Sequence, residues 1–329
     1  MAASRSWPQQ PIASMEHRHT PAISLSDGHA GNRRQAEALA RALGHAEAPH
    51  LVLAPSRLAR ALAPRLFPGA ARAFGGDFHA LLAHPPALAI GCGRQAALAT
   101  RLLRKAGSRA VQILDPRLDP RHWDAVIAPA HDALAGANVI APQGSLHEVD
   151  DLWLARARHD FPAIGALPAP RIAVLVGGPS RHWAMDDAGF DAALASLAAA
   201  ARAQAGSLLL AASRRTPPGW REAMGRRDAA LIWRDQGDGD NPYRGLLGWA
   251  DAIVCTADSV NMLSEACATG APVYVIGGER LQGRPRHFLG HLCDAHRVRA
   301  FDGGLTPFAA EPLRESARVA ATLRERLTP

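Results

Sequence analysis

A chain of 329 residues, 48% apolar and 20% charged, is long enough for two domains of ordinary size. No apolar run approaches the roughly 20 residues of a membrane-spanning helix. The four cysteines (Cys92, Cys255, Cys267 and Cys293) lack both zinc-site spacing and disulfide-scaffold density, which predicts buried free thiols, a reducing compartment and no metal. The net charge of +7 comes from arginine, Lys105 being the single lysine, and aromatics are only 5% with no aromatic-interleaved basic run. That excludes nucleic acid as the expected partner and leaves an anionic ligand or a membrane surface.

In chain order, residues 1–20 have no continuous apolar segment of the signal-peptide kind and are expected to form a disordered tail, or an over-long start before an initiator at Met15. Ile23 to Leu25 reads as a strand, followed by the turn "SDGHAG" and a helix from Arg33 to Leu43 that stops at Gly44. Further strands are predicted at Leu51, Ala87, Ala110 and Ala125, each an apolar run ending in a polar or glycine turn. The stretch "APSRLARALAPRLFPGAARAFGG" mixes apolar residues with Arg57, Arg60, Arg65 and Arg72. Its prolines predict a loop with short helical turns, or else a patch for a membrane or an acceptor.

A proline-rich linker at Ala166 to Arg171 opens the second half, which repeats the pattern. The strand "RIAVLV" runs into Gly177 and Gly178, a helix spans Asp191 to Ala203, and "GSLLLAA" ends at Ser213, Arg214 and Arg215. "WADAIVCTADSVNMLSEACATGAPVYVIGG", Trp249 to Gly278, reads as strand, polar turn, helix and strand. A charged amphipathic helix from Pro312 ends the chain. Continuous apolar strands alternating with helices point to parallel sheets covered on both faces.

Ligands gather at the carboxyl ends of such strands, which makes the turns there the candidate chemistry. Gly177 and Gly178 permit close backbone approach, with Ser180 and Arg181 as donors to an anion. Arg214 can grip phosphate with a planar fork. Ser259 can cap the next helix, whose free N–H groups form an anion site beside Thr256, and Glu265 is a carboxylate in apolar surroundings. Asp258 opposes a phosphate there unless it turns away. Asp27, His29, His131 and Asp132 are the candidate general bases.

The blocks "SDGHAGNRRQAEALA", "IGCGRQ", "APAHD", "VGGPSRH", "SRRTP" and "NPYRGLLGWADAIVCTADSVNMLSEACATGAPVYV" occur in order from Ser26 to Val275. Together they resemble bacterial members of the mitochondrial-fission "elongated mitochondria" family and, more distantly, GT-B glycosyltransferases that use nucleotide sugars. That resemblance implies an α/β fold of two Rossmann-like domains facing a cleft. It implies an acceptor-side domain over residues 21–165, a nucleotide-binding domain over 171–304, and a terminal helix over 305–329 packing back toward the first. It places the ribose at Glu265 and the diphosphate at Ser259 and its neighbouring N–H groups, with Ser180, Arg181 and Arg214 nearby; Gly177, Gly178, Ser213 and Thr256 complete the expected nucleotide-binding set. The function implied is metal-independent and cofactor-free glycosyl transfer from a nucleotide sugar to a cell-envelope acceptor. The protein would then be cytoplasmic or at the inner face of the membrane, with a lipid-linked acceptor as partner. An adaptor on the same scaffold, as the family's fission role implies, and a nucleotide-sugar epimerase are the alternatives.

Overall fold

The computed structural model describes residues 21–327, so the tail expected over residues 1–20 lies outside the described residues. In the first half, β1 (Ala22–Ser26) leads to α1 (Ala30–Ala42) and β2 (His50–Val52). α2 (Arg57–Leu62) and α3 (Gly76–Ala83) precede β3 (Leu88–Cys92), α4 (Arg94–Ala106) and β4 (Arg109–Ile113). β5 (Ala125–Ile127) and β6 (Val139–Ile140) complete a parallel six-stranded sheet ordered β2-β1-β3-β4-β5-β6. Every residue of β1 is buried, and its two serines, Ser24 and Ser26, meet the His50 ring at 2.8 and 2.9 Å.

The second half carries α5 (Asp151–Asp160), α6 (Pro162–Gly165), β7 (Arg171–Val176), α7 (Asp187–Ala203), β8 (Ser207–Ala212), α8 (Pro218–Gly225) and β9 (Leu231–Trp233). After these come α9 (Tyr243–Trp249), β10 (Ala252–Thr256), α10 (Val260–Cys267), β11 (Val273–Ile276), α11 (Arg284–Asp294), β12 (Val298–Ala300) and α12 (Glu315–Leu327). The sheet is again parallel, ordered β12-β11-β10-β7-β8-β9. Read from β9, that is the 3-2-1-4-5-6 order of a Rossmann fold, with its reversal between β7 and β10. In the first sheet the reversal falls between β1 and β3.

The chain forms two compact units. The described part of the first comprises residues 21–127, 135–140 and 322–327; the second comprises Ala128–Leu134 and Ala141–Ala321. Residues 141–170 thus belong to the second unit, ahead of the linker expected at Ala166 to Arg171. The reason is local packing. Leu154 and Ile164 join the core of the second sheet, Arg158 Nε donates to Gly248 O at 2.7 Å, and the backbone of Gly245 lies close against Phe161. Two helices also begin earlier than the sequence suggests: α1 at Ala30, and α7 at Asp187, where the Asp186 carboxylate caps Gly189 N–H at 2.8 Å. Cys92, Cys255 and Cys267 are buried, Cys293 is exposed, and all four are free thiols. Burial pushes the Cys92 and Cys255 thiols well up and Cys267 to about 12.

Candidate functional site

The reversal between β7 and β10 brings two strand-end turns together. Gly177 N–H donates to Thr256 Oγ1 at 2.8 Å, and Gly178 N–H to Asp258 Oδ2 at 3.2 Å. The Thr256 hydroxyl donates to Asp258 Oδ1 at 2.6 Å, and Arg215 Nη2 to Asp258 Oδ2 at 2.5 Å. The Asp258 side chain is fully buried, whereas that of Arg215 is 48% exposed. A Cβ on Gly177 would stand 2.1 Å from Asp258 Oδ1, and one on Gly178 2.1 Å from Arg215 O, so both positions need glycine for close approach.

This network changes the reading of the glycine pair as a phosphate cradle. Both N–H groups are already spent inside the protein, on Thr256 and Asp258. It also disposes of Asp258 as an opposing charge: the carboxylate turns inward and is neutralised by Arg215. What this corner offers an anion is the exposed guanidinium of Arg215, held in place from below. The family resemblance implies Arg214 as the phosphate ligand of the pair; Arg214 is exposed, and the anchored residue is its neighbour Arg215.

β10 then delivers α10. The Ser259 hydroxyl caps it by accepting Met262 N–H at 3.3 Å. Two turns on, Glu265 is only 8% exposed among the buried Leu263, Ala266 and Cys267. A carboxylate in such a place needs a donor, and Tyr243 supplies one, its hydroxyl 2.5 Å from Glu265 Oε2. Sequence reading missed Tyr243. The cue was the unexplained apolar setting of Glu265, which demands a polar partner from a neighbouring element.

The remaining expected ligands lie at the same carboxyl edge of the second sheet. Ser180 pairs its backbone with Trp183 and accepts His182 N–H at its hydroxyl, while the exposed Arg181 donates to His182 Nε2 at 2.9 Å. Ser213 Oγ accepts Arg215 N–H at 3.3 Å, shaping the turn that presents the arginines. A cavity of about 460 Å³ lined by Pro218, Arg221, Glu222, Arg234, Asp235 and Asp238 adjoins this turn, Arg221 Nη2 reaching Ser213 O at 3.1 Å.

In the first unit the β1–α1 turn holds Asp27 and His29. Asp27 Oδ1 accepts His29 N–H at 3.2 Å and Asn32 Nδ2 at 3.0 Å, and lies 3.1 Å from His29 Nδ1. The His29 side chain is 80% exposed. An imidazole whose Nδ1–H is held by a carboxylate presents Nε2 as a proton acceptor. Gly93, at the end of β3, borders Asn32 and Asp27, which puts the pair at the first sheet's reversal.

His131 and Asp132 sit elsewhere, in the second unit. His131 packs on Phe288 with ring centroids 5.4 Å apart, and Asp132 Oδ1 is 3.0 Å from Arg284 Nη1. Their side chains are 7% and 6% exposed. Burial lowers the His131 pKa, with Asp132 opposing and His291, Arg284 and His287 adding to the fall. A walled-off imidazole beside an ion-paired carboxylate fits a role in fastening residues 128–134 to α11.

Among solved structures, the UDP-GlcNAc 2-epimerase of Methanocaldococcus jannaschii is similar with a TM-score of 0.55 at 11% identity, covering 92% of this chain and 99% of that one. The Neisseria meningitidis UDP-GlcNAc 2-epimerase bound to UDP-GlcNAc gives 0.51 at 12%, covering 92% and 91%. At such identities the likeness establishes the fold, a pair of Rossmann-like α/β units of the GT-B kind. By sequence, the chain is 26% identical over 284 residues to uncharacterized protein RP120 of Rickettsia prowazekii, covering 73% of this chain and 79% of that one. It is 30% identical over 280 residues to mitochondrial fission protein ELM1 of Arabidopsis thaliana, covering 74% of this chain. It spans 64% of that plant relative's length. The family model for mitochondrial fission ELM1 matches residues 30–327, a span that takes in the whole second sheet and every strand of the first except β1, so the chain belongs to the mitochondrial fission ELM1 family.

Proposed function

We propose that the second unit binds the nucleoside diphosphate of a nucleotide sugar, and that the protein transfers the sugar to a lipid-linked cell-envelope acceptor at the inner face of a membrane. One observation carries the reading: at the β7–β10 reversal, an exposed arginine anchored by a buried aspartate stands at the edge that also carries the Ser259-capped α10 and its buried Glu265. Arg215, Arg214 and the α10 N-terminus meet the diphosphate charge. Glu265, steadied by Tyr243, accepts from the ribose diol, and the cavity beside Ser213 takes the base. In the first unit His29 Nε2, with Nδ1–H held by Asp27, takes the proton of the acceptor hydroxyl as that oxygen bonds to the anomeric carbon and the nucleoside diphosphate leaves.

Epimerisation of the bound sugar is the second reading, favoured by the fold likeness to the UDP-GlcNAc 2-epimerases of Methanocaldococcus jannaschii and Neisseria meningitidis. A thermal-shift screen of nucleoside diphosphates and nucleotide sugars tests the shared premise. Mass spectrometry for a glycosylated acceptor then supports transfer, and proton NMR of the recovered sugar separates epimerisation. Tight binding with neither product supports the adaptor alternative, and no binding across the screen rejects the nucleotide site.

A further inference from the structure

The segment joining β2 to α3 is not consumed by that function. From residue 48 to residue 76 the chain contains no carboxylate, and Arg57, Arg60, Arg65 and Arg72 are all exposed. None of the four has a carboxylate partner among the described residues. Leu58 is 65% exposed between Arg57 and Arg60, and Val52 is 50% exposed at the end of β2. A single exposed leucine is ordinary. A leucine set among four unpaired arginines, on a segment from which acids are missing, is a surface with one sign of charge and an apolar tip.

The segment is built rather than loose. Ser56 caps α2 by accepting Ala59 N–H at 3.3 Å, Arg101 Nη1 donates to Pro64 O at 2.7 Å, and Arg94 Nη2 to Arg60 O at 2.8 Å. Ala63, Ala70 and Leu98 form a small core beneath it, against which Leu66, Phe67 and Phe74 pack. Its aromatic rings are therefore committed inward, which removes the stacking platform that a single-stranded nucleic acid would need.

We propose that residues 52–74 dock the protein on an anionic lipid bilayer. The arginines engage lipid phosphates through their planar forks, and Leu58 enters the headgroup boundary. Position adds to the case. A Cβ built on Gly28 would meet Val52 Cγ1 at 3.0 Å, so the surface borders the turn of Asp27 and His29. Docking stands on the patch alone. Its consequence, that the acceptor reaches His29 from the membrane, rests on the transferase reading.

The test is co-sedimentation of the full chain with vesicles of phosphatidylcholine alone and of phosphatidylcholine with phosphatidylglycerol, without nucleotide. Wild type is expected to pellet with the anionic vesicles only and to be released by salt. R57A/R60A and, separately, R65A/R72A should lose about fivefold in partitioning per arginine, and L58E should also weaken. Unchanged circular dichroism, melting and nucleotide affinity in each variant exclude misfolding and keep this inference separable from the nucleotide site. Equal pelleting with both vesicle types, no pelleting, undiminished binding by both arginine pairs, or equal retention on a polynucleotide would each overturn it.

Discussion

Glu265 and His29 carry the chemical content of the proposal, and their settings differ. Glu265 is nearly buried and already accepts a phenol proton, so its carboxylate is fixed in orientation before any ligand arrives. Charge-assisted hydrogen bonds of the kind it would make to a ribose are worth roughly 1.5–3 kcal/mol. Glu265→Ala is therefore expected to weaken nucleotide binding by about 10- to 100-fold. A 2′,3′-dideoxy nucleotide should bind wild type poorly and lose little more in the mutant, a non-additivity that calorimetry on the four combinations can read. Additive losses would assign Glu265 to the fold instead. His29 is exposed and held only by Asp27. His29→Ala should cut turnover by roughly 100-fold or more while leaving donor affinity intact, and Asp27→Asn should do the same more weakly by releasing the tautomer. Loss of donor affinity in either variant would contradict a base role.

Among elements, the β7 and β10 turns are joined by one carboxylate. Asp258 satisfies the Thr256 hydroxyl, the Gly178 N–H and the Arg215 guanidinium together. Its removal leaves two buried donors unpaired, and Asp258→Ala should cost about 2–4 kcal/mol, measured by urea denaturation. Gly177→Ala, whose Cβ would strike the same carboxylate, should behave similarly; a change within 0.5 kcal/mol, the size of a surface substitution, in both would remove the pin. The buried His147 ring is expected to make stability at this scale pH-dependent. His147 N–H donates to Ser316 Oγ at 3.0 Å and its carbonyl accepts from the Ser316 hydroxyl at 2.7 Å, fastening the start of α12. Burial pushes the ring down to about 4, with a backbone hydrogen bond at Leu313 opposing. A depressed histidine is neutral when folded, so its share of stability is whole above the unfolded value near 6.5 and is lost as pH falls toward 4. That share is about 3 kcal/mol at most. His147→Asn should flatten the decline between pH 7 and pH 4.5 in denaturant titrations, and an unchanged slope would mean the ring is not what titrates.

Across the whole molecule, the parts that followed from sequence are those where one physical rule dominates. Strands such as β7, β8 and β10 are buried on both faces, so their apolar runs announce them. The glycine and polar turns that end the strands were legible as well, although not which of them the reversal brings together. Less legible was everything decided by distant partners. α5 and α6 joined the second unit through Phe161 and Arg158, contacts with α9 that no local pattern records. Asp258 stands next to a proposed phosphate site in the sequence, yet its inward turn depends on Gly178 and Arg215, some 80 and 43 residues away. Tyr243 was invisible for the same reason, lying 22 residues from the carboxylate it serves.

The most direct measurement of the central claim is amide hydrogen exchange of the intact chain with and without saturating nucleoside diphosphate. Slowed exchange is expected at the turns over residues 213–216 and 257–262 and around Tyr243, with the β4 to β6 region of the first unit unchanged. Saturable binding that protects only the first unit, or leaves those turns exchanging as before, would contradict it.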